Sequence, residues 1–155
     1  VGKTYLIDYL KTFAPGFIFT TSMMPSTAGA INKSISIVEQ EDDKRKYIQE
    51  MSNYLKNLLR INKIPFIENN SHIIPIMIFD AMLVKKYSQI LLNDFGLYIQ
   101  PVFYPTVAKN RARLRLTITP KHNIDDIHEL IYALKKIISP KDSLISTKKQ
   151  FDYSI

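Results

Sequence analysis

The chain reads Ala112-Arg-Leu-Arg-Leu-Thr-Ile-Thr119, a stretch in which apolar and polar residues alternate. Alternation with a period of two predicts a β-strand that buries one face. The face predicted to meet the core comprises Leu114, Leu116 and Ile118. The opposite face comprises Arg113, Arg115, Thr117 and Thr119. An arginine on a strand offers a fixed fork to a carboxylate or phosphate, although solvated arginines are also ordinary on such a face.

Further strands and helices are predicted on both sides of this stretch. Tyr98–Phe103 reads as a second strand that ends in the turn Tyr104-Pro-Thr-Val107. Ile73–Phe79 reads as a third, and Pro75 indicates an edge position or a bulge. Four helices are predicted. The first is Thr4–Phe13, and the second is a long helix, straight or bent, from about Ser26 to Asn62, with an apolar stripe of Ile31, Ile35 and Val38. The third is capped by Asp80 and ends at Gly96, with Leu83, Tyr87, Ile90 and Leu91 facing inward, and the fourth is capped by Asn123.

The order of these elements predicts the fold class. Helix, long helix, strand, helix, strand, strand and helix make an α/β, or α+β-like, two-layer domain in which a small three-stranded sheet is covered by helices. Residues 17–21 are expected to be extended or a loop, because Pro15-Gly16 stops the first helix.

Composition narrows the class of protein. The 155 residues suit one compact domain, and 46% hydrophobic with 23% charged residues is ordinary for a soluble globular protein. Cysteine is absent, which excludes disulfides and fits a reducing cytoplasm. No apolar run approaches a membrane span, and the 3 histidines are too dispersed to predict a metal site. The net charge of +7 allows an anionic partner, but the basic residues are scattered, so CoA is as suitable as nucleic acid.

Five phrases in a fixed order carry a resemblance to a known family. They are Phe13-Ala-Pro-Gly-Phe-Ile-Phe-Thr-Thr-Ser22, Ser71-His-Ile-Ile-Pro75, Gly96-Leu-Tyr-Ile-Gln-Pro101, Tyr104-Pro-Thr-Val107 and Leu114-Arg-Leu-Thr117. From residue 13 to residue 138 the chain resembles the last third of the 5-aminolevulinate synthase family. These enzymes are α-oxoamine synthases, and the resemblance implies the C-terminal small domain of a fold-type-I transferase that depends on pyridoxal phosphate (PLP).

The resemblance implies an activity and four site residues. The parent enzyme would be a homodimer that condenses glycine with succinyl-CoA to 5-aminolevulinate, CoA and CO2, the first step of haem and tetrapyrrole synthesis. Arg115 would hold the glycine carboxylate, and Thr106 would contact the terminal carboxylate of the succinyl group. Thr20 and Thr21 would reach the cofactor phosphate of the neighbouring subunit. The resemblance also implies two regions: residues 1–22, a linking helix and phosphate-binding strand or loop, and residues 23–138, the small domain. The remaining residues, 139–155, are polar and weakly patterned and read as a tail.

The chain also departs from the family pattern. No catalytic residue is assigned, because the family's Schiff-base lysine, and the aspartate and histidine that accompany the cofactor, match nothing here; the segment alone is expected to be inactive. Ala108-Lys-Asn110 stands where the family has proline, arginine and glycine, and Met24-Pro25 replaces a double proline. His72 and His122 are expected to have structural roles.

Other interpretations stay open from the sequence. The sister enzymes 8-amino-7-oxononanoate synthase and glycine C-acetyltransferase share the strand arginine. The strand from residue 112 to residue 117 is close to the first of these two sisters. A basic nucleic-acid-binding module is a third interpretation, which salt-sensitive binding would favour. We expect that the protein binds no nucleic acid, membrane or metal, and that it is located in the cytoplasm.

Overall fold

A computed structural model describes residues 2–138 of the chain. The elements, in chain order, are α1 (Thr4–Phe13), α2 (Pro15–Ile18), α3 (Pro25–Gln40), α4 (Asp42–Ile61), β1 (Ile73–Phe79), α5 (Ala81–Phe95), β2 (Gln100–Val102), β3 (Ala112–Thr117) and α6 (Ile124–Ile137). They fall into two compact units, Val1–Asp42 and Asp43–Ile155. The boundary expected after residue 22 lies inside the first unit, and the expected tail, 139–155, lies outside the described residues.

The three strands of the second unit form one antiparallel sheet. Its order is β1-β3-β2, so β3 is central. Pro75 of β1 lies opposite Arg115, and the register of β1 shifts between Met77 and Phe79. Pro75 therefore lies in an outer strand of the sheet, as in one of the two predicted alternatives, while the bulge lies further along β1 and does not involve Pro75.

Two strands end earlier than predicted because neighbouring backbone groups are used in turns. The amide of Thr106 donates to the Phe103 carbonyl at 3.0 Å, which ends β2. The amide of Thr119 donates to Nδ1 of His122 at 3.0 Å, so residues 118–119 enter a turn and leave β3 at Thr117.

Helices α4, α5 and α6 contribute to one core with the leucine face of the sheet. Ile74, Ile76 and Leu114 are fully buried there, and Leu116 and Ile118 are nearly so. The residues of α4 in this cluster are Met51, Leu55 and Leu59; those of α5 are Val84, Tyr87 and Leu91; those of α6 are Ile127, Leu130, Ile131, Ala133 and Leu134. The predicted two-layer α/β fold is confirmed. Ile124, the first residue of α6, is 52% exposed and lies outside this core.

The buried face of α5 differs from the predicted one. Val84 and Ser88 are buried, whereas Leu83 and Ile90 are only half-buried. The hydroxyl of Ser88 donates to the Ile99 carbonyl at 2.7 Å, where the chain enters β2. Contact with the sheet and this hydrogen bond therefore turn the helix slightly from the face that the apolar pattern indicates.

The first half of the chain departs further from the predictions. The long helix is two helices, because Glu41 leaves the helical region at φ −107° and ψ 42°. Residues 17 and 18, expected to be extended or part of a loop, belong to α2, which begins with Pro15 in its first turn. Helices α1, α2 and α3 contain no buried residue, and the predicted stripe of Ile31, Ile35 and Val38 is 45%, 53% and 57% exposed.

None of the helices within residues 2–138 combines the length and the apolar character needed to cross a membrane.

The cap of α5 yields a stability prediction. The Asp80 carboxylate accepts from the amides of Met82 and Leu83 at 2.8 and 2.9 Å. We expect Asp80→Ala to lower the free energy of unfolding by about 1 kcal/mol, because both amides lose their partner at the N-terminus of a helix. Urea denaturation followed by circular dichroism measures the change. Asp80→Asn keeps an acceptor and is the matched control; equal losses in the two variants would contradict a capping role.

Candidate functional site

The face of the sheet opposite the core carries the predicted anion-binding residues. We call this the arginine face, and it comprises Gln100, Arg113, Arg115 and Thr117. Residues directly opposite each other in an antiparallel pair share a face, so the register defines two rows across it. One row is Pro75, Arg115 and Gln100; the next is Met77, Arg113 and Val102. The strand alternation seen in the sequence is confirmed.

Arg115 is exposed at the centre of this face. Within the part of the chain that the structure describes, its guanidinium has neither a carboxylate nor a hydrogen-bond acceptor. It lines a groove of about 520 Å³ together with Gln100, Thr117 and Asp126, whose carboxylate is engaged in the cap of α6. A cation without a partner beside a groove is suited to bind a carboxylate or phosphate, and the planar fork allows two parallel hydrogen bonds.

Thr106 lies in the loop 103–111 that joins β2 to β3. Its amide is used in the turn with Phe103, while its side chain is exposed and has no hydrogen bond within residues 2–138. Two cations flank the loop: Lys85 Nζ lies 4.5 Å from the Phe103 ring centroid, and Lys109 Nζ lies 5.6 Å from that of Tyr104. A free hydroxyl in a positively charged loop can donate to an anionic group. Thr106 and Arg115 thus belong to one hairpin.

Arg113 is a half-buried cation in the row next to Arg115. Its Nε donates to the carbonyl of Arg111 at 3.0 Å, which directs the side chain toward the loop 103–111. Burial, and then the charge of Arg111, lower the pKa of Arg113 from its usual range, yet the group stays protonated at neutral pH. The sequence placed Arg113 on this face but indicated no role for it.

Thr20 and Thr21 belong to the other compact unit, in the segment between α2 and α3. Both are exposed, and the Thr20 hydroxyl donates only a long bond of 3.4 Å to the Thr21 carbonyl. The N-cap of α3 is Met24, which makes no side-chain capping bond. Neither threonine therefore serves as the cap of α3, the simple structural role that their position ahead of Pro25 suggests.

The histidines that precede β1 and α6 are held by hydrogen bonds, His72 by one across the sheet and His122 by those of a turn. The carbonyl of His72 accepts from the amide of Ile118 at 3.1 Å. His122 accepts from Thr119 through Nδ1, and its carbonyl accepts from the Tyr47 hydroxyl at 2.9 Å. Among the described residues there is no group of three or more histidine, cysteine, aspartate or glutamate side chains able to hold a metal ion.

Comparison with known sequences relates the chain to a large enzyme family. The family model described as aminotransferase class I and II matches residues 1–134. A 5-aminolevulinate synthase of Rhizobium meliloti is 41% identical over 138 residues, which cover 89% of this chain and 34% of that protein. A mitochondrial 5-aminolevulinate synthase of Debaryomyces hansenii is 39% identical over 89% of this chain and 24% of its own length. The chain thus spans about a third or less of these relatives.

Comparison with solved structures gives the same fold. A serine palmitoyltransferase structure with PLP has a TM-score of 0.77 at 22% identity, over 88% of this chain and 35% of that one. An 8-amino-7-oxononanoate synthase of Francisella tularensis has a TM-score of 0.73 at 21% identity, over 86% of this chain and 39% of that one. At these identities the likeness establishes the fold and carries no residue roles.

Proposed function

The chain belongs to the aminotransferase class I and II family, and from this membership we propose that it is the C-terminal part of a 5-aminolevulinate synthase. The identity of 41% to the R. meliloti relative supports this member of the family. The observation that carries the proposal is Arg115, an exposed guanidinium without a partner among the described residues on the arginine face. A cation held in that way suits a small amino acid, whose carboxylate is its one permanent anionic group.

The proposed reaction joins glycine to succinyl-CoA. The α-carbon of glycine loses a proton and bonds to the thioester carbonyl carbon, whose bond to sulfur breaks to release CoA. Loss of the glycine carboxylate as CO2, with uptake of a proton at the α-carbon, then leaves 5-aminolevulinate, while the proton removed earlier ends on the sulfur of CoA. The atoms balance without any oxidant or reductant.

The chain offers groups that fit part of the cofactor PLP. The exposed hydroxyls of Thr20 and Thr21 are suited to accept and donate hydrogen bonds at a phosphate. When bound, PLP supplies the electron sink for a carbanion at the α-carbon. No lysine of this chain is assigned to the cofactor aldehyde, so these residues provide contacts to the phosphate and leave the remaining contacts to other parts of the enzyme.

Arg115 and Thr106 have complementary roles in this proposal. A bidentate pair between Arg115 and the glycine carboxylate fixes the orientation of the α-carbon, so that its proton is presented for removal. Thr106 donates to the terminal carboxylate of the succinyl group, which distinguishes a dicarboxylic acyl chain from an uncharged one. Both residues act by binding and orientation, and neither moves a proton.

Replacing Thr106 with valine tests its proposed contact. We expect Thr106→Val in the complete enzyme to reduce the preference for succinyl-CoA over butyryl-CoA by roughly tenfold, because the bound carboxylate loses one hydrogen bond while the side chain keeps its shape. The ratio of kcat/KM values for the two acyl donors measures the preference, and Thr106→Ser is the control that keeps the donor. An unchanged ratio in Thr106→Val would show that Thr106 does not read the carboxylate.

Direct assay distinguishes the proposed reaction from its alternatives. Formation of aminolevulinate from glycine and succinyl-CoA by the complete enzyme supports the proposal. Turnover of other amino acid and acyl-CoA pairs without aminolevulinate would favour a sister α-oxoamine synthase. Nucleic-acid binding that weakens steeply with salt would favour a basic binding module. A homodimer and a cytoplasmic location belong to the same proposal; sedimentation and cell fractionation test them, with the mitochondrion as the other compartment.

A further inference from the structure

Gln100 is a polar residue of the groove to which the proposed reaction gives no role. It lies directly opposite Arg115 in the pairing of β2 with β3, and both residues line the groove of about 520 Å³. Residues directly opposite each other have their Cβ atoms roughly 4.5–5.5 Å apart, so one small ligand can contact both side chains. Both residues are exposed, and they form a pair at one place on the arginine face.

The side-chain amide of Gln100 is held in one orientation by its neighbours. The Tyr98 hydroxyl donates to Oε1 of Gln100 at 2.8 Å, and Nε2 of Gln100 donates to the Pro101 carbonyl at 3.2 Å. A backbone carbonyl can only accept, so the atom that faces it is the nitrogen and the atom that faces the Tyr98 hydroxyl is the oxygen. The oxygen is thereby turned to Tyr98, and one N–H of the amide has no partner within residues 2–138.

A free amide N–H beside a free guanidinium is suited to bind a carboxylate. A carboxylate accepts at about four lone-pair positions, and a bidentate guanidinium uses only part of them, through two parallel hydrogen bonds. A further donor on the neighbouring strand can use one of the remaining positions. Among the described residues that line the groove, Asp126 alone bears a carboxylate, and the cap of α6 engages it.

We propose that Gln100 donates a third hydrogen bond to the glycine carboxylate bound by Arg115, and that Tyr98 is the positioning residue that keeps the amide N–H turned toward it. This inference rests on the proposed function and adds two residues to its glycine site. Donors on two strands restrict rotation of the carboxylate about the guanidinium. The α-carbon therefore keeps the orientation in which its proton is presented for removal.

Comparison of glycine with methylamine, which is glycine without its carboxylate, tests this contact in the complete enzyme. Titrations followed by cofactor absorbance give both dissociation constants. We expect Gln100→Leu to weaken glycine binding roughly tenfold, because a hydrogen bond to a charged group is lost, and to leave methylamine binding unchanged. Tyr98→Phe should weaken glycine binding by a smaller factor, since the amide remains but turns freely. The matched controls Gln89→Leu, on α5, and Tyr132→Phe, on α6, should change the binding of neither ligand.

Kinetics and a second variant separate the contact from a structural role. The KM for succinyl-CoA and the thermal midpoint should be unchanged in Gln100→Leu, whereas a disturbed sheet would alter both. Gln100→Glu keeps the shape of the side chain and should weaken glycine binding further, because its carboxylate would pair with Arg115.

Two results would overturn the inference. One is unchanged glycine affinity in Gln100→Leu, and the other is an equal weakening of glycine and methylamine. If either occurs while the unaltered enzyme forms aminolevulinate, the proposed function stands without this contact. If Gln100→Leu weakens glycine alone but the enzyme forms no aminolevulinate, the proposed function fails and the carboxylate contact stands.

Discussion

Arg115→Leu is expected to weaken glycine binding by the complete enzyme by roughly 2–5 kcal/mol, a larger effect than we expect from any other single substitution in the chain. The guanidinium has no partner among the described residues, so its removal strands no carboxylate of the chain. The expected loss therefore falls on the ligand, whose carboxylate loses a bidentate partner. A titration of glycine followed by cofactor absorbance measures the dissociation constant.

Two further variants separate charge from geometry at Arg115. Arg115→Lys keeps the charge but lacks the planar fork, so we expect it to recover only part of the affinity. Lys135→Gln is the control for net charge and should bind glycine normally. Glycine affinity that is unchanged in Arg115→Leu would remove Arg115 from the site.

The 155-residue chain by itself is expected to form no aminolevulinate and to take up no PLP in stoichiometric amounts. The family resemblance assigns the Schiff-base lysine to no residue of this chain, and an aldehyde that meets only solvated surface lysines is held weakly. The described part of the second unit nevertheless has its own buried core, so the expected result is a folded and inactive protein.

Borohydride reduction and peptide mapping measure this outcome. After incubation with PLP, we expect substoichiometric label spread over several lysines, and circular dichroism should show helix and strand. The complete enzyme is the positive control for both label and activity. One lysine of the chain labelled stoichiometrically, together with aminolevulinate formation, would overturn the interpretation of this chain as part of a larger active unit.

Local patterns were sufficient to predict much of the second unit. The bounds of β1 were predicted from its run of β-branched and apolar residues. The ends of the helices were predicted from side chains that favour helix termini: the carboxylate of Asp80, the amide of Asn123 and the glycine at position 96. The arginine face follows from the alternation in β3, because a strand under one layer of helices has only one apolar side.

Other features depend on contacts that the sequence does not display. The face of α5 is set by the sheet and by the Ser88 bond to Ile99, which join residues distant along the chain. The break at Glu41 lies within the charged run from Glu39 to Lys46, and the pattern of this run fits a continuous helix as well as an interrupted one. The partial burial of Arg113 and its bond to the Arg111 carbonyl depend on the loop before β3, which the alternation of the strand does not describe. The roles of Thr20, Thr21, Thr106 and Arg115 stay predictions.

The two prolines of the sheet have a consequence for self-association. Pro75 accepts a hydrogen bond from the Ile67 amide on the outer side of β1, so its missing N–H also faces outward. Because hydrogen-bonding directions alternate along antiparallel strands, Pro101, opposite Leu114, likewise faces away from β3. The outer side of β1 is already paired with residues 65–67, because the Met77 amide also donates to the Pro65 carbonyl at 2.9 Å, and the outer edge of β2 lacks a donor at Pro101. The folded sheet is a poor template for edge-to-edge aggregation, and this protection is independent of surface charge and salt.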